Sequence, residues 1–273
     1  MIRFKSFSSG SCGNCSFLGT TEGGRLHGVL IDAGVSWRSV LRAFSVDGLT
    51  PGNVGAILVT HDHYDHIRHL GSFCKRMSVP VYSTETILAA VRHHPYTGQF
   101  SGRGLDPGEW TPIAEGIEVL CFPVPHDAPE TVGYAIRLEG RIFVIMTDIG
   151  EMTNEALELA RQADTVVIES NYDKDMLLGG GYTYALKMRI SKGFGHLSNA
   201  ACADALRDIW HPGLRNIFLC HLSANNNTPE LALASARAAL SSVGAPLSGT
   251  ATPDTPVALR VLPRGVPTQL FVL

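Results

Sequence analysis

Residues 56–67 read Ala56-Ile57-Leu58-Val59-Thr60-His61-Asp62-His63-Tyr64-Asp65-His66-Ile67. The first five are apolar or β-branched and compose a short buried strand. Three histidines and two aspartates then fall within six residues. A buried strand seldom ends on so many groups that are costly to desolvate unless something binds them. Alternate residues at a strand end point to the same side, so His61 and His63 can ligate one metal ion together. As the chain turns into a helix expected over about Ile67–Met77, Asp65 and His66 can face a second ion. Imidazole and carboxylate donors suit two divalent ions of zinc, manganese or iron.

Outward from this stretch, short apolar strands again end in a ligand-capable residue. Val29-Leu30-Ile31 runs into Asp32, Phe122-Pro123-Val124-Pro125 into His126, Phe143 to Thr147 into Asp148, and Asn216 to Cys220 into His221. Helices are expected over Trp37–Phe44 and Thr86–His93. Others are expected from a Thr153 or Asn154 cap to about Gln162, from a Ser198 or Asn199 cap to Trp210, and from Thr228-Pro229 to about Ser241. Asn171–Gly195 reads as irregular, and Thr268–Leu273 as a closing strand. No internal repeat and no linker interrupts the pattern, so one domain over residues 1–273 is expected.

The chain has 273 residues, 45% of them hydrophobic, enough for a substantial core. Its net charge of −3 supplies no global field for a polyanion, so such a substrate would need local cations or metal ions. No apolar run reaches spanning length, which argues against a membrane partner. Met1 to Phe7 alternates like a strand and lacks the apolar core of a signal peptide. The six scattered cysteines read as reduced, in a cytoplasmic protein. Cys12 and Cys15, with Gly13-Asn14 between them, read as a turn.

The segment from His61 to His66 matches the H-x-H-x-D-H signature of the metallo-β-lactamase superfamily, and Asp32, His126, Asp148 and His221 follow that family's motif order. The chain resembles this family along nearly its whole length. The resemblance implies an α/β fold, a four-layer αββα sandwich of two mixed sheets with helices outside. It assigns His61, His63 and His126 to a first metal and Asp65, His66 and His221 to a second, with Asp148 bridging. By the same resemblance, Asp32 is expected to support the metal loop by hydrogen bonding and not to be a ligand. A water or hydroxide between the ions would be the nucleophile, its pKa lowered towards roughly 7. His27, His69, His93, His94 and His211 match no motif and read as packing or surface residues, although His69, three residues after His66, could stand behind a ligand.

Four further segments resemble the YycJ/WalJ-type branch, which is associated with 5′-to-3′ exonuclease activity on DNA. They are Ser8 to Cys15, Ile168 to Asp173, Gly195 to Asn199, and His221 to Ser223 followed by Asn225 to Pro229. The Glu169 and His196 segments also resemble ribonuclease Z. The expected catalytic residues are Asp65, His196 and Glu169, with His196 protonating a leaving oxygen while Glu169 orients it. Nucleic acid, DNA before RNA, is the expected substrate. Ser9, Gly10 and Asn14 would offer a small-residue loop to a phosphate. Lys187, Arg189 and Lys192 would grip the backbone. The alternative is a small-molecule phosphodiesterase or another hydrolase of this fold that does not act on nucleic acid, and the sequence leaves the oligomeric state open.

Overall fold

A computed structural model describes residues 1–22, 24–248 and 257–273. In chain order the elements are β1 (Arg3–Ser8), β2 (Cys15–Glu22), β3 (Arg25–Ile31), α1 (Trp37–Val46), β4 (Val54–Leu58), α2 (Tyr64–Ile67), α3 (Leu70–Met77), β5 (Val81–Ser83), α4 (Glu85–His93), β6 (Gly102–Gly104), β7 (Thr111–Ala114), β8 (Ile117–Pro123) and β9 (Val132–Leu138). There follow β10 (Arg141–Met146), α5 (Asn154–Ala160), β11 (Thr165–Glu169), α6 (Lys174–Gly179), α7 (Tyr184–Ser191), α8 (Asn199–Ile209), β12 (Asn216–Cys220), α9 (Pro229–Ser242), β13 (Leu247–Ser248), β14 (Val257–Val261) and β15 (Phe271–Val272). They form two compact units. Unit 1 comprises Met1–Cys121, Ala128–Gly140 and Pro263–Leu273, and unit 2 comprises Phe122–Asp127 and Arg141–Leu262.

Unit 1 holds a mixed seven-stranded sheet in the order β15-β1-β2-β3-β4-β5-β6. Strands β1, β2, β3 and β15 pair antiparallel, while β3 to β6 run parallel. Because β3 and β4 are parallel neighbours, their C-terminal ends lie side by side, which brings Asp32 next to Thr60. The segment Ala128–Gly140 braces the same edge: Val132 N–H donates to the Thr60 carbonyl, and the buried Tyr134 hydroxyl donates to that of Val59. Unit 2 is built on parallel strands β10, β11, β12, β14 and β13. Here too the C-terminal ends align, and they carry Asp148, Glu169 and His221, as expected for sites at the carboxyl ends of parallel strands.

The cap reading resolves at Thr153, Ser198 and Thr228, whose hydroxyls accept the N–H of Ala156, Ala201 and Leu231. Three expectations are corrected. The helix expected over Ile67–Met77 is two helices, because His69 leaves helical geometry to donate its N–H to the Ala33 carbonyl. His69 therefore does not stand on one helix with His66. The segment read as irregular contains α6 and α7, capped by Asp173 and Thr183. Helix α7 buries none of its residues and so shows no apolar period in the sequence. The closing strand shrinks to Phe271–Val272. Among the described residues no helix is long and apolar enough to cross a membrane.

Candidate metal centre

In unit 1 the metal-ligand candidates are organised by a buried carboxylate. Asp32 follows β3 with a left-handed φ of 60°. It accepts the Thr60 N–H at 2.9 Å, the Thr60 hydroxyl at 3.0 Å and His66 Nδ1 at 2.7 Å. The Thr60 oxygen lies 3.0 Å from His61 Nδ1. Since that hydroxyl's own proton points to Asp32, it accepts from His61. Both rings are thereby held in the tautomer that places the lone pair on Nε2. The His61 ring centroid is 4.6 Å from that of His63 and 4.1 Å from that of His66. Asp65 Oδ2 stands 3.6 Å from His66 Nε2. Imidazole and carboxylate donors of this kind, with the His61 and His66 rings oriented by hydrogen bonds, have the chemistry that suits zinc- or manganese-type ions.

The Ser8-to-Asn14 loop serves this cluster, which departs from the expected role. The Asn14 side-chain oxygen accepts Gly10 N–H at 2.7 Å, which turns its amide nitrogen to Asp65 Oδ2 at 3.1 Å and His66 Nε2 at 2.8 Å. Ser9 N–H donates to Pro263, Gly13 N–H to Gly10 and Asn14 N–H to Asp65. These backbone donors are engaged internally, so Ser9 and Gly10 do not present the phosphate-cradling N–H groups expected of them. Asn14 is a neighbour of the ligand candidates Asp65 and His66.

In unit 2 the organising group is Glu169, fully buried at the end of β11. One oxygen, Oε1, accepts Nδ1–H from both His196 at 2.8 Å and His221 at 2.9 Å. The other, Oε2, accepts the N–H of Ile149 at 2.8 Å and of Leu197 at 3.3 Å. Burial alone would raise this carboxyl, but the His196 charge and the two imidazole hydrogen bonds hold it below the usual value. Burial opposes the His196 imidazolium, and Glu169 more than offsets this and lifts it above an ordinary histidine. Asp148 and His221 occupy left-handed backbone at φ 53° and 52°. Such strain, of order 1–3 kcal/mol per residue, concentrates at functional sites. Asp148 Oδ1 lies 3.3 Å from His221 Nδ1 and 3.8 Å from His126 Nε2. His126 donates Nδ1–H to Gly195 O at 2.8 Å, and burial keeps it below the usual imidazole value, as a neutral ligand requires. His126 and His221 are nearly inaccessible, whereas the His196 side chain is 22% exposed.

The basic segment is largely engaged. Lys187 donates to the Leu178 carbonyl and Arg189 pairs with Asp127, while Lys192 is exposed at the end of α7. Thr60, Asn171 and Asp127 are site neighbours that the sequence reading missed. Asn171 donates to the His221 carbonyl, and Asp127 Oδ1 stands 3.3 Å from His126 Nε2. Thr60 and Asn171 lie inside the quoted motif segments, which is the signal that could have found them.

Residues 27–221 match the model of the beta-lactamase superfamily domain, and the chain belongs to that family. It is 34% identical over 235 residues to exodeoxyribonuclease YycJ of Bacillus anthracis, covering 85% of this chain and 86% of that one. It is 31% identical over 233 residues to exodeoxyribonuclease WalJ of Streptococcus pneumoniae, covering 85% of each. The metallo-beta-lactamase fold protein YhfI from Bacillus subtilis superposes with a TM-score of 0.70 over 98% of both chains at 13% identity. The α/β metallo-β-lactamase fold expected from the sequence is therefore the one found, and the chain is a metal-dependent hydrolase of that superfamily.

Proposed function

We propose that this chain is a dinuclear phosphodiesterase that removes nucleotides from the 5′ end of DNA. The observation that carries the reading is the single buried oxygen of Glu169 shared by His196 and His221. It gives one carboxylate two tasks: fixing a ligand imidazole through His221 and a proton donor through His196. The names of the similar exodeoxyribonucleases support DNA as the substrate. By the family resemblance, His61, His63 and His126 would hold one ion and Asp65, His66 and His221 the other, with Asp148 serving both. Two such ions would supply a deprotonated water at neutral pH and neutralise charge on the phosphate. His196, more accessible than His126 and His221, places its Nε2 proton on the departing oxygen, and Glu169 keeps that ring protonated and oriented. Neither unit is a contiguous piece of chain, so we treat residues 1–273 as one catalytic domain acting in the cytoplasm.

The test is end-labelled DNA and RNA, with a generic phosphodiester beside them, incubated with added manganese or zinc and separated on a gel. Stepwise loss from the 5′ end of DNA, abolished by chelator, is the expected result. Rapid turnover of the small phosphodiester with both nucleic acids intact would replace this reading. The net charge of −3 and the engagement of Lys187 and Arg189 make that the comparison to run.

A further inference from the structure

Unit 1 contains a cavity of about 460 Å³ that the metal-ligand assignment does not use. Phe7, Val35, Ala43 and Val46 give it an apolar side, and Arg42, Arg68 and the hydroxyls of Ser36 and Ser39 a polar one. Ser36, Ser39 and Arg42 recur every third residue along the start of α1, so they face the cavity together. No carboxylate is among its lining residues. Among the described residues, none pairs with either guanidinium. Arg68 is fixed at the wall by two carbonyls, Gly34 O at 2.7 Å from Nε and Cys12 O. Gly13 makes that approach possible: a Cβ there would stand 2.7 Å from the Arg68 guanidinium and 2.6 Å from Gly34 O.

In a chain of net charge −3, two guanidiniums without a carboxylate partner beside an apolar wall select a ligand that is both anionic and ring-bearing. The volume falls within the roughly 300–1,000 Å³ of small-molecule sites. The cavity also shares its frame with the ligand loop. Ala33 N–H donates to His66 O and Ala33 O accepts from His69 N–H, while Asn14 N–H donates to Asp65 O. Arg68 is two residues beyond His66.

We propose that this cavity is a nucleoside-phosphate subsite that receives the terminal nucleotide of the strand being degraded. Arg42 and Arg68 take the phosphate, and the Phe7–Val35–Val46 side takes the base or sugar. The proposal rests on the nucleic-acid reading above for the source of that nucleotide, but not for the chemistry of the site.

Cys12 lines the cavity and is the exposed cysteine of the six, so its alkylation reports occupancy directly. The metal-loaded full chain is treated with iodoacetamide, and modification of the Cys12 peptide is followed by mass spectrometry. The additions are 5′-dAMP, deoxyadenosine or inorganic phosphate. 5′-dAMP should protect Cys12, and each of the other two should do so only at much higher concentration. Arg42→Ala should raise the 5′-dAMP concentration needed about 10- to 100-fold, the cost of one charged hydrogen bond, and Arg42→Lys should recover part of it. Metal content should be unchanged in both. On DNA, Arg42→Ala should raise KM more than it lowers kcat. Relief of product inhibition without a change in KM would assign the same subsite to the released nucleotide and overturn the strand-end assignment. Absence of protection by 5′-dAMP, or equal protection in wild type and Arg42→Ala, overturns the subsite. Equal protection by phosphate alone overturns its nucleoside specificity. If no nucleic acid is degraded, the exonuclease reading fails while thiol protection still decides whether the subsite exists.

Discussion

Replacing Glu169 with Gln changes one atom in a fully buried group and should disable more than the proton donor. Four donors converge on the carboxylate: two imidazole Nδ1–H groups on Oε1, and the N–H of Ile149 and Leu197 on Oε2. An amide offers one acceptor oxygen and an NH₂ group that only donates. With its oxygen towards the imidazoles, its NH₂ faces two backbone N–H groups. Each buried donor left without an acceptor costs roughly 1–3 kcal/mol. With its oxygen towards the backbone, the NH₂ faces the two rings, which must then carry their proton on Nε2. The second arrangement is the cheaper, and it removes the Nε2 lone pair of His221. Metal affinity should therefore fall about 10- to 100-fold, the usual effect of removing a carboxylate behind a ligand histidine. That is about 1.4–2.8 kcal/mol. Competition with a chromophoric chelator, and metal per chain after dialysis, measure it, with turnover read at saturating metal. An E169Q variant that binds metal and turns over within a factor of two of wild type would refute the shared-oxygen argument.

His196→Ala should leave metal content nearly intact while lowering turnover on DNA about 100- to 10,000-fold. The defect should shrink on a nitrophenyl phosphodiester, whose leaving oxygen needs little help, and loss of metal would instead make His196 a ligand. Asp32→Ala removes the partner of Thr60 and of His66 Nδ1 and leaves a non-glycine residue at φ 60°. A loss of about 3 kcal/mol is expected in denaturant unfolding of the apoprotein, together with weaker metal binding, and an unchanged midpoint would contradict the assignment. Burial pushes the Cys74 thiol up to about 11. Below that value the thiolate fraction rises with pH, so alkylation of Cys74 should accelerate roughly tenfold per unit between about pH 8 and 10. A profile that levels off near pH 9 would place the thiol in a more open setting.

What the sequence determined by itself is local. His61, His63, Asp65 and His66 stand next to one another at the end of an apolar strand, so residue type and strand geometry expose them without any knowledge of the fold. Thr153, Ser198 and Thr228 were legible for the same reason, since a cap and the N–H it accepts lie three residues apart. The break between α2 and α3 was not legible, because its cause is a hydrogen bond from His69 to Ala33, brought alongside by the pairing of β3 with β4. Helix α7 was missed because it buries no face and so leaves no period to read. The hydrogen-bond pairings of Asn14, Glu169 and His221 were decided only by tertiary structure. Asn14 meets Asp65 and His66 across 51 and 52 residues, and Glu169 gathers His196 and His221 from 27 and 52 residues away. A sequence states which donors and acceptors a chain carries. Which donor meets which acceptor depends on how parallel strand ends are brought into register, and that is fixed by burial of the apolar strands that carry them.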